Sequence, residues 1–457
     1  MWASQTVRAA AVCVVGLTGV ATAASSMPAG SSTLDTPAAS DPAAWSDAWL
    51  LNHAPTYLDD AEARRAALEH SLATPDNLYS AMRISAYGRG RTGWDVLPAW
   101  NPSSQELRVQ DLVALETGNA VPYDPATPRL WDGRRPETMD GWVKLGREVF
   151  FRFPLRPEPA AELAFASGTA DAFGLEHDRD GNVPGLVAYR DIDGADQVGI
   201  TCALCHTAIE DGRIVVGRAR RSLDYGAMRL AYEHSLGDLD PGLAARMSSW
   251  GPGRADITED DDQDPVAIPD LWRLRELRNL TQAATIVHDT PLALAIRQET
   301  QMLHASGERI RPPRELAWAL AMYLYSLTPQ TPASQPTALA RRGKALFASH
   351  CDRCHGDASG SGRAIPASRV GTDPALAHGR ARGTGKYRPA PLVGVHKAAP
   401  YLHTGDVASL EDLLDPARLR PDFERSVRGR GAIVGHEFGT DLPSRDRAAL
   451  AAWLRTL

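Results

Sequence analysis

Two short stretches of this chain have the residue types and spacing for covalent cofactor chemistry: Cys202-Ala203-Leu204-Cys205-His206 and Cys351-Asp352-Arg353-Cys354-His355. Cysteines three positions apart lie about one helical turn from each other, so both thiols project along one side and the next residue swings its imidazole beneath them. That arrangement attaches a c-type haem, with thioethers to the two vinyl groups and the histidine as proximal iron ligand. The motifs thus predict two covalent haems, on Cys202, Cys205 and His206 and on Cys351, Cys354 and His355. Two disulfides or a four-cysteine zinc site would leave each following histidine without a purpose, and the pairs stand about 150 positions apart, far wider than in zinc ribbons. A redox CxxC needs one pair and no histidine.

Export fits covalent haem attachment. Residues 1–23 read as a secretory signal, with Arg8, an apolar run from Ala9 to Val20 and the cleavage site Ala21-Thr22-Ala23. The run is short for a membrane span, so a periplasmic protein is expected rather than one held by an uncleaved anchor. Cys13, the fifth cysteine, leaves with the signal. The formal net charge is -7, and losing Arg8 brings the mature chain near -8. This balance argues against a nucleic-acid partner and suits docking of a small basic redox protein as electron donor. The acidic run from Asp256 to Asp264 is either such a dock or a solvated loop.

The elements that position the motifs are written twice. Lys144-Leu145-Gly146-Arg147-Glu148-Val149-Phe150 is similar in pattern to Arg341-Arg342-Gly343-Lys344-Ala345-Leu346-Phe347, and Arg314 to Leu327 mirrors Arg445 to Leu457. Each pair reads as an opening and a closing helix around one CxxCH. The expected fold is mainly α: an N-terminal extension at 24–140, a first cytochrome c-like domain at 141–328 and a second at 337–457. A Pro-rich linker from Thr328 to Pro336 separates the domains. The first unit inserts Phe151 to Thr201 before its motif, rich in Gly, Pro and Asp, and this is expected to be a loop over the first haem. Asp178-Arg179-Asp180-Gly181-Asn182 within it hints at calcium, but the rest of an EF-hand loop is missing, which favours a plain turn. The extension, with Trp45, Trp49, Trp94, Trp100 and Trp131, reads as folded, and its role is not legible.

The segment Ala399-Pro400-Tyr401-Leu402-His403-Thr404-Gly405-Asp406 through Leu414 resembles the PYxHDGS segment of bacterial di-haem cytochrome c peroxidases and the related methylamine-utilisation di-haem enzymes. Trp250 to Arg254, Ile268 to Trp272 and Gly435 to Thr440 look more like the branch containing di-haem rubber oxygenases. The resemblance covers about residues 141–457. It implies that the haem on His206 is where peroxide or oxygen reacts, and that the haem on His355 relays electrons to it. It also implies pocket roles for Gln298 and Glu308, which stand at the family's spacings from His288. The tryptophan usual at position 288 is here a histidine. A carboxylate such as Glu308 beside bound peroxide can shift a proton between its two oxygens; otherwise Gln298 belongs to a polar helix face and Glu308 to a solvated loop.

The sixth iron ligands are constrained by composition. No methionine follows Met322, so the second iron has no Met from its own domain, and its candidates are His378, His396, His403 and His436. The oxygenase-like context of His436 makes it the preferred second ligand. No histidine stands between His206 and His234, so the first iron lacks the distal histidine that the peroxidases carry in that loop. The expected function is reduction of peroxide at the first haem by an exported di-haem oxidoreductase. The alternatives are an oxygenase acting on an apolar isoprenoid-like substrate, suggested by an open first site, and a pure electron carrier. Intact mass of the purified periplasmic protein should show two haems on a chain beginning near Ala24, and a mass with one haem or with bound zinc would refute the reading.

Overall fold

The opening helix of the first unit spans Met139–Arg152, capped by the Thr138 hydroxyl, which accepts from the Gly141 amide at 3.1 Å. Its buried residues Trp142, Gly146, Val149 and Phe150 recur at helical spacing and form one apolar stripe. The closing helix Arg314–Ser326 is buried along nearly its whole length, from Leu316 to Tyr325. The two cross at Gly146, where a Cβ would run into the Ala319 carbonyl and come within 2.6 Å of the Tyr323 Cβ. The second unit repeats this with Ala338–His350 against Ser444–Leu454, crossing at Gly343, where a Cβ would meet the Ala449 carbonyl and lie 2.8 Å from the Trp453 Cβ. The repeat seen in the sequence is therefore a repeat of one close helix crossing.

This computed structural model describes residues 45–116, 121–256, 264–329, 336–357, 359–425 and 429–457. The signal at 1–23, residues 257–263 of the acidic run and 330–335 of the linker lie outside the described residues. Seventeen α-helices are present among the described residues, with only small sheets, so the fold is mainly α as expected. No described helix is long and apolar enough to cross a membrane.

The insert is not a loop. Strands β1 (Ser104–Arg108), β2 (Arg156–Pro157), β3 (Asn182–Arg190) and β4 (Asp196–Ile200) form an antiparallel sheet in the order β1-β3-β4-β2, and a helix spans Pro159–Ala166. From Val183 to Tyr189 β3 is buried on both faces, so its composition is that of an interior strand, and the Gly and Asp that suggested a loop make its turns. Asp178 accepts the Asp180 and Asn182 amides and the Asn182 side chain, the bonding of a turn. No group of three His, Cys, Asp or Glu residues suited to a metal ion occurs among the described residues.

The extension shares its core with the first unit. Trp45, Leu50, Tyr57 and Leu68 pack in one cluster with Phe150, Trp318 and Leu320. A polar link lies inside: Glu299, 1% exposed, accepts from the hydroxyls of Tyr57 at 3.0 Å and Tyr87 at 2.7 Å and pairs with Arg314. Burial, followed by the Glu299 charge, lifts both phenols well above their ordinary range, so they remain donors. Because the Gly343 crossing has no room for a methyl group, Gly343→Ala should destabilise the protein by about 3 kcal/mol, measured as a lowered melting temperature of the purified chain.

Candidate haem sites

The first motif forms a short helix, Cys202–His206, whose N-cap Thr201 side chain accepts from the Ala203 amide. Strand β3 runs tightly against it: a Cβ on Gly185 would collide with the Leu204 backbone. Below it, the fully buried Arg220 donates to the Thr207 carbonyl and hydroxyl and to the Pro184 carbonyl. Both cysteines are unpaired. Burial pushes the Cys202 thiol up to about 12 and Cys205 up to about 11, the opposite of the lowered thiol of a redox CxxC. His206 Nδ1 donates to the Pro269 carbonyl at 3.1 Å, which leaves Nε2 as the ligating nitrogen. Burial holds His206 neutral down to about 4, the form that ligates a metal.

The second motif follows its opening helix directly, with the Cys351 amide donating to the Phe347 carbonyl at 2.8 Å. His355 Nδ1 donates to the Gly360 carbonyl. That carbonyl belongs to a loop ordered by Asp357, which accepts the amides of Ser359, Ser361 and Gly362. The structure places His436 opposite His355, with ring centres 6.3 Å apart. Two metal–nitrogen bonds of about 2.0 Å, with about 1 Å from each nitrogen to its ring centre, span about 6 Å, so one metal atom fits between these rings. The His436 backbone is held at φ +48°, a strained value for a non-glycine residue. Its amide donates to the Val370 carbonyl, and the buried Arg418 donates to the carbonyls of Ile433, Gly435 and His436, so the loop is fixed from both sides. Burial lowers His436 to about 4.

The other candidates lie elsewhere. His403 stacks on Tyr387 at 4.4 Å, His378 is exposed and His396 is half-buried. Two cavities flank the second motif: one of about 270 Å³ against His355, with Phe347, Leu392 and Trp453 in its wall, and one of about 630 Å³ beside Cys354, ringed by Arg278, Arg353, Arg363 and Arg369. A space walled partly by Phe347, Leu392 and Trp453 next to an arginine-lined one suits a macrocycle with an apolar edge and two carboxylates, so these residues fit a haem. Trp272 ties the two sites together. Its indole lies 2.8 Å from where a Cβ would stand on Gly217, whose amide donates to the His206 carbonyl, and equally close to Gly394, near Leu392.

Near Arg297 the structure adds to Glu308 and Gln298 a histidine that no motif announced. Glu308 accepts from the Trp94 indole at 3.0 Å, and His304 Nδ1 lies 3.1 Å from the same carboxylate. His304 Nε2 is buried without a partner. Arg297, about two turns earlier on the helix Pro291–Ala305, carries charge felt at Cys202, His206 and His304 alike. Gln298 is half-buried beside it. His288, by contrast, is fully committed to the core, with Nδ1 donating to the Leu277 carbonyl and Nε2 bonded to the Tyr325 hydroxyl. No motif marks His304, which stands far beyond the loop between His206 and His234. The legible signal was its position four residues before Glu308 at a helix end.

Residues 385–424 match the family model described as RoxA-like, cytochrome c-like. The chain therefore carries a cytochrome c-like segment in its second half. Among solved structures it is similar to a MauG-like protein associated with microbial copper homeostasis, at 17% identity over 45% of this chain and 79% of that one, with a TM-score of 0.31. No curated protein matches it.

If His355 and His436 hold one iron, His436→Ala should convert that haem from low to high spin, read in the ferric absorption and paramagnetic resonance spectra, while His403→Ala leaves it unchanged. The reverse pattern would discard His436 as the ligand.

Proposed function

We propose that this chain is an exported di-haem c-type oxidoreductase that takes electrons in at the second site and delivers them to the first, where peroxide is reduced. His206 would hold the first haem and His355 with His436 the second. A bis-histidine iron closed to exogenous ligands suits electron relay and has a lower potential than a His/Met iron. The electron donor would be a small redox protein, and the location the periplasm.

The observation that carries this reading is the His304–Glu308 pair beside Arg297. Cys202, Cys205 and His206 would hold the haem, which would supply redox chemistry toward peroxide when bound. The chain supplies the protons. Burial, then the charges of Arg83, Glu308, Arg297 and Arg382, lower His304 to about 4, so it is neutral at pH 7. With Nδ1–H donating to the Glu308 carboxylate, its Nε2 carries the lone pair and can accept a proton from peroxide. Glu308 stabilises the imidazolium so formed, which can return the proton to the departing oxygen. The carboxylate, 41% exposed, exchanges protons with solvent. Glu308 also sits at φ +60°, a second strained residue at a candidate site.

The RoxA-like match favours a second reading, an oxygenase acting on an apolar isoprenoid-like substrate. The cationic group at Arg297 disfavours an apolar ligand on that side. Glu308→Gln should slow peroxide turnover by about 10²–10⁴-fold with cyanide binding little changed, and the wild-type rate should fall as pH drops through about 4, where His304 becomes protonated. Indifference to Glu308, with oxygen uptake on an apolar polyene, would replace the peroxidase reading by the oxygenase.

A further inference from the structure

The extension reaches the first site with side chains that its own packing does not require. Its helix Leu78–Ala86 is pinned at the start to the second unit, with the Leu78 and Tyr79 amides donating to the Arg380 and Ala381 carbonyls and the Asn77 side chain to the Gly383 carbonyl. From that anchor Tyr79, 5% exposed, lies with the Arg83 guanidinium 3.4 Å from its ring centre and that of Arg382 5.0 Å away. Arg83 is 3% exposed and donates through Nη1 to the Tyr79 carbonyl, while its Nε has no partner. The Tyr79 hydroxyl, Arg297 Nη1 and His304 Nε2 are likewise buried with none.

Four orphaned polar atoms in one place are costly. A buried donor without an acceptor costs about 1–3 kcal/mol, and more when it is charged. Neither Arg83 nor Arg297 forms an ion pair with a carboxylate among the described residues. Burial pulls the Tyr79 phenol up, while the charges of Arg83, Arg297 and Arg382 and the polar contact with Arg83 bring it below its ordinary value. Glu308 and, around Arg382, Asp256 and Asp264 are the acids that face the cluster.

We propose that Tyr79, Arg83 and Arg297 form a carboxylate-binding clamp at the first haem site, assembled only when the extension docks across both units. Two guanidinium donors and a phenol match the lone pairs of a carboxylate, with the Arg83 fork able to take both oxygens. The carboxylate belongs either to a propionate of the haem on Cys202 and Cys205 or to a free organic acid bound between these side chains. The inference rests on the haem reading of that motif but not on peroxide as the substrate.

The test uses the full-length holoprotein, with two haems per chain confirmed by mass so that failure of the haem reading is seen separately. Formate is the probe, titrated by calorimetry and by the ferric haem spectrum, with imidazole as a neutral comparison. If the clamp takes a free carboxylate, Tyr79→Phe and Arg83→Gln should weaken formate binding, the latter by about tenfold or more for one lost charge-assisted hydrogen bond, and leave imidazole binding unchanged. If it holds a propionate, formate binding is indifferent to both variants, whereas the propionate carboxylate band in the infrared and the potential of the first haem shift. Arg83→Lys retains the charge should Arg83→Gln fail to fold. No response of formate affinity, infrared band or potential to any of the three variants would overturn the clamp.

Discussion

Both candidate sites depend on one steric constraint, the close approach of an opening and a closing helix that only glycine permits. At Gly146 and Gly343 the partner carbonyl occupies the space where a side chain would begin. Backbones that approach so closely fix the direction in which each opening helix ends, and hence where the following CxxCH can sit. In the second unit that transmission is direct, since the Cys351 amide is bonded to the last turn of the helix. In the first unit the sheet intervenes, and Gly185 takes over by letting β3 lie flat on the motif helix. The same rule therefore operates three times: a missing Cβ converts a packing contact into a positional constraint on a cysteine pair.

A second device fixes the imidazoles. His206 and His355 each donate Nδ1–H to a carbonyl five or more residues away, Pro269 in one case and Gly360 in the other, so neither ring can rotate and both keep Nε2 for a metal. His436 is controlled differently. Its ring makes no such bond, and its place is set through the backbone by Arg418 and by the left-handed conformation of the loop. Were both to ligate one iron, His355 would be held through its ring and His436 through its backbone, whose strained conformation persists only where neighbouring contacts over-determine it.

What the sequence disclosed follows from range. The CxxCH motifs, the opening helices and the closing helices are local patterns, and they stand where the residues suggested. The insert looks loop-like because it is rich in Gly, Pro and Asp, yet Pro184 and Gly185 lie within the buried run Val183 to Tyr189 of β3, where Gly185 allows the strand to approach the motif helix. His288 looked like a stand-in for a pocket tryptophan, and only the bonds to Leu277 and Tyr325 reveal it as a core residue. His304, Arg297 and Tyr79 had no motif at all. Their significance comes from elements more than 200 positions apart, brought together when the extension packs on the helix Pro291–Ala305.

That packing also bears on the choice between chemistries. The absence of a histidine between His206 and His234 suggested a first site open to an apolar substrate. In the structure the extension and the helix Pro291–Ala305 gather His304, Arg297, Arg83 and Tyr79, with Glu308 paired to His304, and the Arg297 charge bears on Cys202 and His206. A polyene entering from this side would have to desolvate two unpaired guanidinium groups without offering them an acceptor, a penalty that grows in a buried site. A small oxidant with lone pairs, or an acid, would relieve the same groups. If the first haem binds beside this group, the charge distribution would favour a polar ligand over an apolar one there, and the extension would contribute to that preference.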